Sequence, residues 1–224
     1  KSTEILVNDL KIQSDKVTTS SDLANISLSE TFRPVIKKNR FKYDIGICYY
    51  DENAEEENLT AIKLFLKKIK KRNKKILLSN DVSRKGLYEY NLYKKMFTRL
   101  ERIYNNIRIY QPDYFNSSKI NELVSHYTEC ETVMSSRYHA ILTAAWAGCR
   151  VIALERSSKV SALAEELCIS EVKKPFTVEK LLEAFNGAKM VSPEILNTLL
   201  KSAYGSISNF KELIKTEKTQ TVQI

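Results

Sequence analysis

The sequence predicts an α/β fold: a Rossmann-like, three-layer α/β/α domain with a mainly parallel sheet. Short apolar runs typical of strands alternate with longer segments of helical periodicity from about residue 43 to about residue 190. Glycine follows two of the helical segments, at Gly148 and Gly187, where it can end a helix as a C-cap. Strands separated by helices of this length form βαβ units, which place helices on both faces of a parallel sheet.

The elements follow from these patterns in chain order. Strands are predicted at 43–50, 74–80, 106–111, 131–135 and 150–155. Helices are predicted at 57–71, 87–104, 118–129, 138–148, 159–168 and 177–187. We divide the chain into a connector or remnant of a preceding lobe over 1–42, a Rossmann-like ligand-binding domain over 43–192, and a C-terminal helix with a polar, disordered tail over 193–224. The first residue is Lys1 rather than Met, which is compatible with a piece of a larger polypeptide.

The chain is basic, because 36 Lys and Arg residues against 27 Asp and Glu give a net charge of +9. This charge suits an acidic ligand, nucleic acid or an anionic membrane surface, so peripheral association with the inner face of the membrane stays open. No RNP motif, GXXG loop or zinc finger is present, and nucleic acid is not an expected partner. No run approaches the roughly 18 to 20 apolar residues of a spanning helix, which favours a soluble, cytoplasmic protein.

The cysteines and one histidine are predicted to have structural roles. Cys48, Cys130, Cys149 and Cys168 lie in apolar runs without a CxxC pair, which indicates buried thiols in a reducing compartment. His126 has no Cys or carboxylate at metal-ligand spacing and is predicted to lie on a helix surface. We therefore assign no metal site and no cofactor.

One loop gathers polar side chains where open parallel sheets bind ligands. The strand at 131–135 leads into the helix at 138–148 through Ser135, Ser136, Arg137 and His139. An arginine there can hold a carboxylate or phosphate with two hydrogen bonds, and a histidine can transfer a proton near neutral pH. Structural roles account for the same residues equally well: Ser136 as a helix cap, Arg137 paired with a surface acid, and His139 as a buried, satisfied side chain.

The stretch VMSSRYHAILTAAWAGCRVIAL at 133–154, followed by Lys159, resembles the polysaccharide pyruvyl transferase family. In that family a strand leads into an Arg-x-His-Ala motif, a helix of small residues, a glycine, a second strand, and a loop that carries a lysine. The resemblance extends more weakly over residues 17–170 and implies a two-lobed architecture like glycosyltransferase-B, of which this chain would be the C-terminal lobe. The missing N-terminal lobe would then be a partner.

The resemblance implies an enzyme that transfers pyruvyl from phosphoenolpyruvate to two sugar hydroxyls as a ketal, in cell-surface glycan and exopolysaccharide biosynthesis. The acceptor would be a glycan or a lipid-linked sugar. Arg137 and His139 would be the catalytic residues, with Arg137 on the donor's carboxylate or phosphate and His139 on the phosphate or acting as the acid/base. Ser135, Ser136 and Lys159 would complete the substrate-binding set.

Two alternatives remain from the residues themselves. The same helix N-terminus would suit a glycosyltransferase-B lobe that binds a nucleotide-sugar diphosphate. A non-catalytic binding or assembly domain of the same fold would use only its basic surface. No GxSxG, P-loop or GxGxxG motif is present, which argues against serine hydrolases, P-loop NTPases and dinucleotide oxidoreductases.

Overall fold

A computed structural model describes residues 20–32, 41–49, 56–72, 74–79, 107–110 and 124–220. The α-helices within these ranges are α1 (Ala24–Phe32), α2 (Glu56–Lys70), α3 (Tyr138–Trp146), α4 (Ser158–Glu166), α5 (Val178–Gly187) and α6 (Pro193–Gln220). The strands are β1 (Tyr43–Cys48), β2 (Ile76–Ser79), β3 (Ile107–Tyr110), β4 (Cys130–Ser135), β5 (Arg150–Leu154), β6 (Ser170–Val172) and β7 (Lys189–Met190). A 3-10 helix covers Ser125–Glu129. The helix predicted at 87–104 lies outside the described residues.

The strands form one sheet in the order β3-β2-β1-β4-β5-β6, and every neighbouring pair in this order is parallel. The short strand β7 pairs antiparallel with the start of β5. Strands β2 and β3 are added on one side of β1, and β4, β5 and β6 are added on its other side. This is the strand order of doubly wound folds. The predicted α/β class, with a mainly parallel sheet, is confirmed.

Apolar strand residues and two helices build the core on one face of the sheet. Ile45, Ile47 and Met134 are fully buried there and stand in register with the neighbouring strands. Helices α2 and α5 cover them, and the rings of Phe65 and Phe185 meet edge to face at 6.0 Å. Burying one such side chain contributes about 1.5–3 kcal/mol, so this cluster is a main source of stability.

Helices α3 and α4 belong to the opposite layer. Crossovers between parallel strands are right-handed. The crossovers from β4 to β5 and from β5 to β6 run across the sheet in the opposite direction to the crossover from β1 to β2. Helices α3 and α4 therefore lie on the opposite face of the sheet from α2. Helix α3 is rich in alanine, and its buried Ala140, Ala144 and Ala145 let it pack closely on the sheet. These layers complete the predicted three-layer α/β/α arrangement.

Gly46 of β1 marks a close approach between strands. A Cβ atom at this position would lie 2.8 Å from the Sγ of Cys130, closer than real side chains allow. Cys130 is itself buried, and its thiol donates to the His126 carbonyl at 3.6 Å. Glycine therefore lets β1 and the start of β4 pack against each other.

The chain divides into two compact units, Thr31–Ser192 and a second that combines Lys1–Glu30 with Pro193–Ile224. In the second unit the segment before α1 is hydrogen bonded to α6: Ser20 Oγ donates to the Ser202 carbonyl at 3.1 Å, and the Ser21 N–H donates to Ser202 Oγ at 3.1 Å. The Ser21 hydroxyl also donates to the Leu199 carbonyl. Hydrogen bonds thus join two segments that are far apart in the sequence.

Several predictions about local structure are corrected. Cys168 is exposed, whereas Cys48, Cys130 and Cys149 are buried free thiols as predicted. His126 is buried rather than on a helix surface, and its Nε2 lies 2.9 Å from the Oγ of Ser79.

Helix boundaries also differ from the sequence-based ones. The end of the helix predicted at 118–129 is the 3-10 helix, and its earlier part lies outside the described residues. Helix α1 lies within the predicted connector, and α6 continues to Gln220, into the predicted disordered tail. Within the described residues no helix combines the length and hydropathy needed to cross a bilayer.

Candidate functional site

The polar loop predicted from the sequence lies at the point where the strand order reverses. Cys48 at the end of β1 stands in register with Ser135 at the end of β4, and the sheet grows away from this pair in both directions. Helices that follow such strands leave a crevice at their carboxyl ends, and doubly wound proteins bind ligands there. The topology therefore singles out this loop on grounds independent of its residue types.

Ser135 shapes the loop from within the protein. Its side chain is fully buried, and its hydroxyl donates to the Cys48 carbonyl at 2.8 Å and accepts the Arg137 N–H at 3.0 Å. The Ser136 N–H donates to the same Cys48 carbonyl at 3.1 Å. The bond from Ser135 to the backbone two residues later is a serine turn, which ends the strand and directs the chain into α3.

Arg137 and His139 lie at the start of α3. Arg137 is the N-cap in an extended conformation, and its carbonyl accepts the first helical hydrogen bond, from the Ile141 N–H at 3.0 Å. The N–H groups that precede Ile141 in the first turn lie ahead of any acceptor within the helix, and the helix dipole adds partial positive charge there. The guanidinium of Arg137 is half-buried and the imidazole of His139 is exposed. Together these groups favour an anion.

Tyr138 lies between these two residues and contacts the histidine. The rings of Tyr138 and His139 meet edge to face, with centroids 5.3 Å apart and an interplanar angle of 83°. This contact limits the positions that the His139 imidazole can adopt, although the imidazole itself remains exposed.

Lys159 approaches from the next helix along the sheet. Strand β5 pairs in parallel with β4, and Ser135 stands in register with Ala153. Helix α4 begins at Ser158, and Lys159 is an exposed residue in its first turn. Neighbouring parallel strands lie about 4.8 Å apart, so the N-termini of α3 and α4 are side by side at one edge of the sheet. The structure thus brings all five predicted site residues to this edge.

Two of the purely structural roles that the sequence allowed for this loop, those of Ser136 and His139, are not the ones found in the structure. The N-cap of α3 is Arg137, not Ser136, and the Arg137 side chain makes no capping hydrogen bond. His139 is exposed rather than buried. Sequence reasoning missed the contribution of Cys48, because a backbone carbonyl acceptor leaves no signal in residue types.

The buried thiols near the sheet are not suited to nucleophilic chemistry. Burial raises the pKa of the Cys149 thiol to about 12, and burial also raises the pKa of the Cys130 thiol well above its usual range. A thiol must ionise to react, so both groups stay protonated and inert near neutral pH. Neither thiol is therefore a candidate nucleophile.

The fold is similar to that of two UDP-GlcNAc 2-epimerases and a glycosyltransferase. The UDP-GlcNAc 2-epimerase of Methanocaldococcus jannaschii, solved in complex with UDP-GlcNAc and UDP, matches with a TM-score of 0.58 at 13% identity, over 86% of this chain and 56% of that one. A glycosyltransferase from Rickettsia africae matches with a TM-score of 0.57 at 17% identity, over 96% and 62% respectively. The UDP-GlcNAc 2-epimerase of Neisseria meningitidis, bound to UDP-GlcNAc, matches with a TM-score of 0.50 at 14% identity, over 97% and 58%.

The chain spans less than two thirds of the length of each of these structures. At such low identity they show the fold alone, and no curated protein sequence matches the chain. The fold and the loop at its switch point define a Rossmann-like lobe of the glycosyltransferase-B type. A family model then identifies the chain more closely: polysaccharide pyruvyl transferase matches residues 1–158. The chain belongs to that transferase family.

Proposed function

We propose that this chain binds phosphoenolpyruvate at the start of α3 and takes part in its transfer, as a pyruvyl ketal, to a sugar of a cell-surface glycan. The observation that carries the proposal is the position of Arg137 at the N-cap and of His139 in the first turn of α3, beside the β1–β4 switch point. The family match supports the reaction type, because its model covers the residues that build this loop.

The donor's charges fit the groups at this edge of the sheet. Phosphoenolpyruvate carries a carboxylate and a phosphate, and a guanidinium can hold either with two parallel hydrogen bonds. The N–H groups at the start of α3 suit the second anionic group. Lys159 adds a cation from the start of α4, which would stabilise the phosphate as it leaves.

The reaction needs one proton transfer that His139 can perform. A sugar hydroxyl loses its proton and adds through its oxygen to C2 of phosphoenolpyruvate, while the C3 methylene takes a proton and becomes a methyl group. The oxygen of a second hydroxyl of the same sugar then displaces phosphate from C2 and closes the ketal, and the leaving phosphate takes up the proton of that hydroxyl. We assign His139 to the proton delivered to C3, because its imidazole is exposed, lies close to Arg137 in the chain and can act as a general acid.

A nucleotide-sugar is the second candidate ligand. The epimerase structures with UDP-GlcNAc or UDP share this fold, and a diphosphate could use the same helix N-terminus. Arginine and histidine close together on one turn favour the smaller donor, since they can contact its carboxylate and its reacting carbon at the same time.

Titration calorimetry separates the two candidates. The wild-type chain, Arg137→Ala and the control Arg72→Ala, which removes an exposed arginine just after α2, are each titrated with phosphoenolpyruvate and with uridine diphosphate. We expect saturable binding of phosphoenolpyruvate that Arg137→Ala weakens at least about tenfold and Arg72→Ala leaves unchanged. Binding of uridine diphosphate alone, or phosphoenolpyruvate binding that does not depend on Arg137, would refute the proposal.

A further inference from the structure

An open cleft of about 710 Å³ lies between α4 and β6, apart from the loop at the start of α3. Its helical wall includes Ser158, Ser161 and Glu165, which share one face of α4 at helical spacing. Its other wall includes Glu171 and Lys173 at the carboxyl end of the sheet. The volume is within the range of about 300–1,000 Å³ that is usual for small-molecule sites.

The charges of the cleft are balanced. The lining includes the carboxylates Glu155, Glu165 and Glu171 and the cations Arg156, Lys173 and Lys174. An excess of cations would favour a nucleotide or a phosphate. Equal numbers of carboxylates and cations instead favour a neutral ligand that can donate hydrogen bonds to the carboxylates and accept them from the cations. Sugars carry hydroxyls that do both.

Hydrogen bonds inside the protein hold two of the carboxylates in place. Glu171 accepts the Ser161 hydroxyl, which joins β6 to α4 across the cleft. Glu155 accepts the Lys174 N–H at 2.7 Å, and the Glu155 N–H donates to the Val172 carbonyl at 3.0 Å. A carboxylate has about four lone-pair positions, so each keeps acceptor capacity beyond these bonds. Fixed acceptors of this kind lower the entropy lost when a sugar binds.

The loop that follows β5 connects the cleft to Lys159 of the proposed donor site. Glu155, Arg156 and Ser157 line the cleft, and the same loop leads directly to Lys159 in the first turn of α4. The part of the cleft that Glu155, Arg156 and Ser157 line lies at the carboxyl edge of the sheet, where β5 is next to β4. A sugar at this end of the cleft would therefore lie at the same edge of the sheet as Lys159 and the β4–α3 loop.

From this arrangement we infer that the cleft between α4 and β6 is an acceptor subsite, which binds an uncharged pyranose of the acceptor glycan through its hydroxyls. The inference rests on the proposed pyruvyl transfer, since it supplies the second substrate of that reaction. Glu155 and Glu171 accept sugar hydroxyls, and Lys173 donates from the rim.

Amide chemical shifts of the ¹⁵N-labelled full chain test the inference. The probes are methyl glycosides of glucose, galactose, mannose and N-acetylglucosamine, each titrated to about 20 mM because single sugars bind weakly. We expect at least one to cause saturable shifts of amides within 155–162 and 171–174. Glu171→Gln should weaken that affinity about tenfold, and the control Glu183→Gln, an exposed glutamate of α5, should not change it. Lys173→Ala, at an exposed position, replaces Glu171→Gln if that variant does not fold.

The inference would be overturned if no glycoside caused a saturable shift, if the shifts were confined to other parts of the chain, or if Glu171→Gln and Lys173→Ala left them unaffected. Cleft shifts caused by uridine diphosphate but by no glycoside would also overturn it. Adding phosphoenolpyruvate to the same samples separates this inference from the proposed function. Binding of phosphoenolpyruvate without binding of a glycoside refutes only the acceptor subsite in the cleft. Binding of a glycoside without binding of phosphoenolpyruvate refutes only the donor site at the start of α3.

Discussion

The Ser135 hydroxyl donates to the Cys48 carbonyl at 2.8 Å and ties the end of β4 to the end of β1. The same oxygen accepts the Arg137 N–H at 3.0 Å, so one buried hydroxyl fixes the two strand ends and the start of α3 relative to each other. The direction of the Arg137 side chain follows from the position of its backbone. This small network therefore connects the stability of the sheet to the geometry of the candidate site.

Ser135→Ala should lower both stability and donor binding. Removal of the hydroxyl takes a partner from the Cys48 carbonyl and from the Arg137 N–H, which costs about 1–3 kcal/mol in the free energy of unfolding. Phosphoenolpyruvate affinity should fall as well, because Arg137 loses its support. Denaturant titration and calorimetry measure the two effects. Ser157→Ala is the control, since Ser157 also precedes a helix but is exposed and makes no side-chain capping bond. Wild-type stability in Ser135→Ala would contradict the role of the network.

His139→Gln should separate binding from chemistry. Glutamine keeps a hydrogen-bond donor but cannot deliver a proton, so we expect donor affinity to change less than about threefold and transfer to fall by about 10²–10⁴-fold. Phosphate release from phosphoenolpyruvate in the presence of acceptor glycan measures the transfer, and calorimetry measures the affinity. Unchanged turnover would show that His139 is not the proton donor. A parallel loss of binding and turnover would make it a binding residue only.

Two helix ends offer opposite tests of the same backbone conformation. Gly148 follows α3 with φ +75°, and Cys168 follows α4 with φ 53°, each at the residue where a left-handed conformation closes the helix. Gly148→Ala should destabilise the protein by about 1 kcal/mol, although a Cβ there would meet no atom within 4 Å. Cys168→Gly should stabilise it by about 0.5 kcal/mol, since relief of the strained φ exceeds the added entropy of glycine.

Denaturant midpoints measure these differences, and Gly187→Ala is the matched control. Gly187 is the last residue of α5, has no positive φ and would accept a Cβ without a contact. Alanine there should be neutral or stabilising, by up to about 1 kcal/mol. Equal effects of Gly148→Ala and Gly187→Ala would show that φ at Gly148 is not the cause.

Gly46→Ala should be destabilising through one identifiable contact. The added Cβ would lie 2.8 Å from the Cys130 Sγ, but at ordinary distances of 3.5 Å from its Cβ and 3.6 Å from the Val133 Cγ2. We expect a loss of about 1–3 kcal/mol in the wild-type background and a clearly smaller loss in Cys130→Ala, which removes the sulfur. A double-mutant cycle from unfolding curves measures the coupling. Additive effects would contradict this account.

The central strands could be predicted because both faces of a parallel sheet are covered. Residues 43–48 and 150–154 are almost wholly buried and so appear as continuous apolar runs. Strand β6 was not predicted, because its three residues, Ser-Glu-Val, contain no apolar run and the strand lies at the edge of the sheet. The cleft that it forms with α4 was missed for the same reason.

Local context explains the other differences. Cys168 lies in an apolar run but occupies the exposed turn that ends α4, so its position in the helix cap outweighs its residue type. His126 is buried because its imidazole meets the Ser79 hydroxyl from a strand 47 positions earlier, a contact that no local pattern reveals. Gly187 ends α5 as predicted but without the left-handed conformation of Gly148.

Most of the candidate site could be predicted from the sequence, because four of its five residues lie close together in the chain. Ser135, Ser136, Arg137 and His139 lie within one strand-to-helix turn, and the sheet rule placed that turn at a carboxyl edge. The sequence could not show that this edge lies at the switch point, since that depends on the pairing of β1 with β4. Nor could it separate the supporting role of the Ser135 hydroxyl from direct contact with a ligand.

A crystal structure of the chain with phosphoenolpyruvate tests the central claim most directly. We predict that the donor lies at the start of α3, with its carboxylate or phosphate on the Arg137 guanidinium and its C3 carbon on the His139 side. Lys159 should approach the phosphate from the start of α4. Phosphoenolpyruvate bound elsewhere, for example in the cleft between α4 and β6, or electron density at the start of α3 only when uridine diphosphate is supplied, would contradict the assignment.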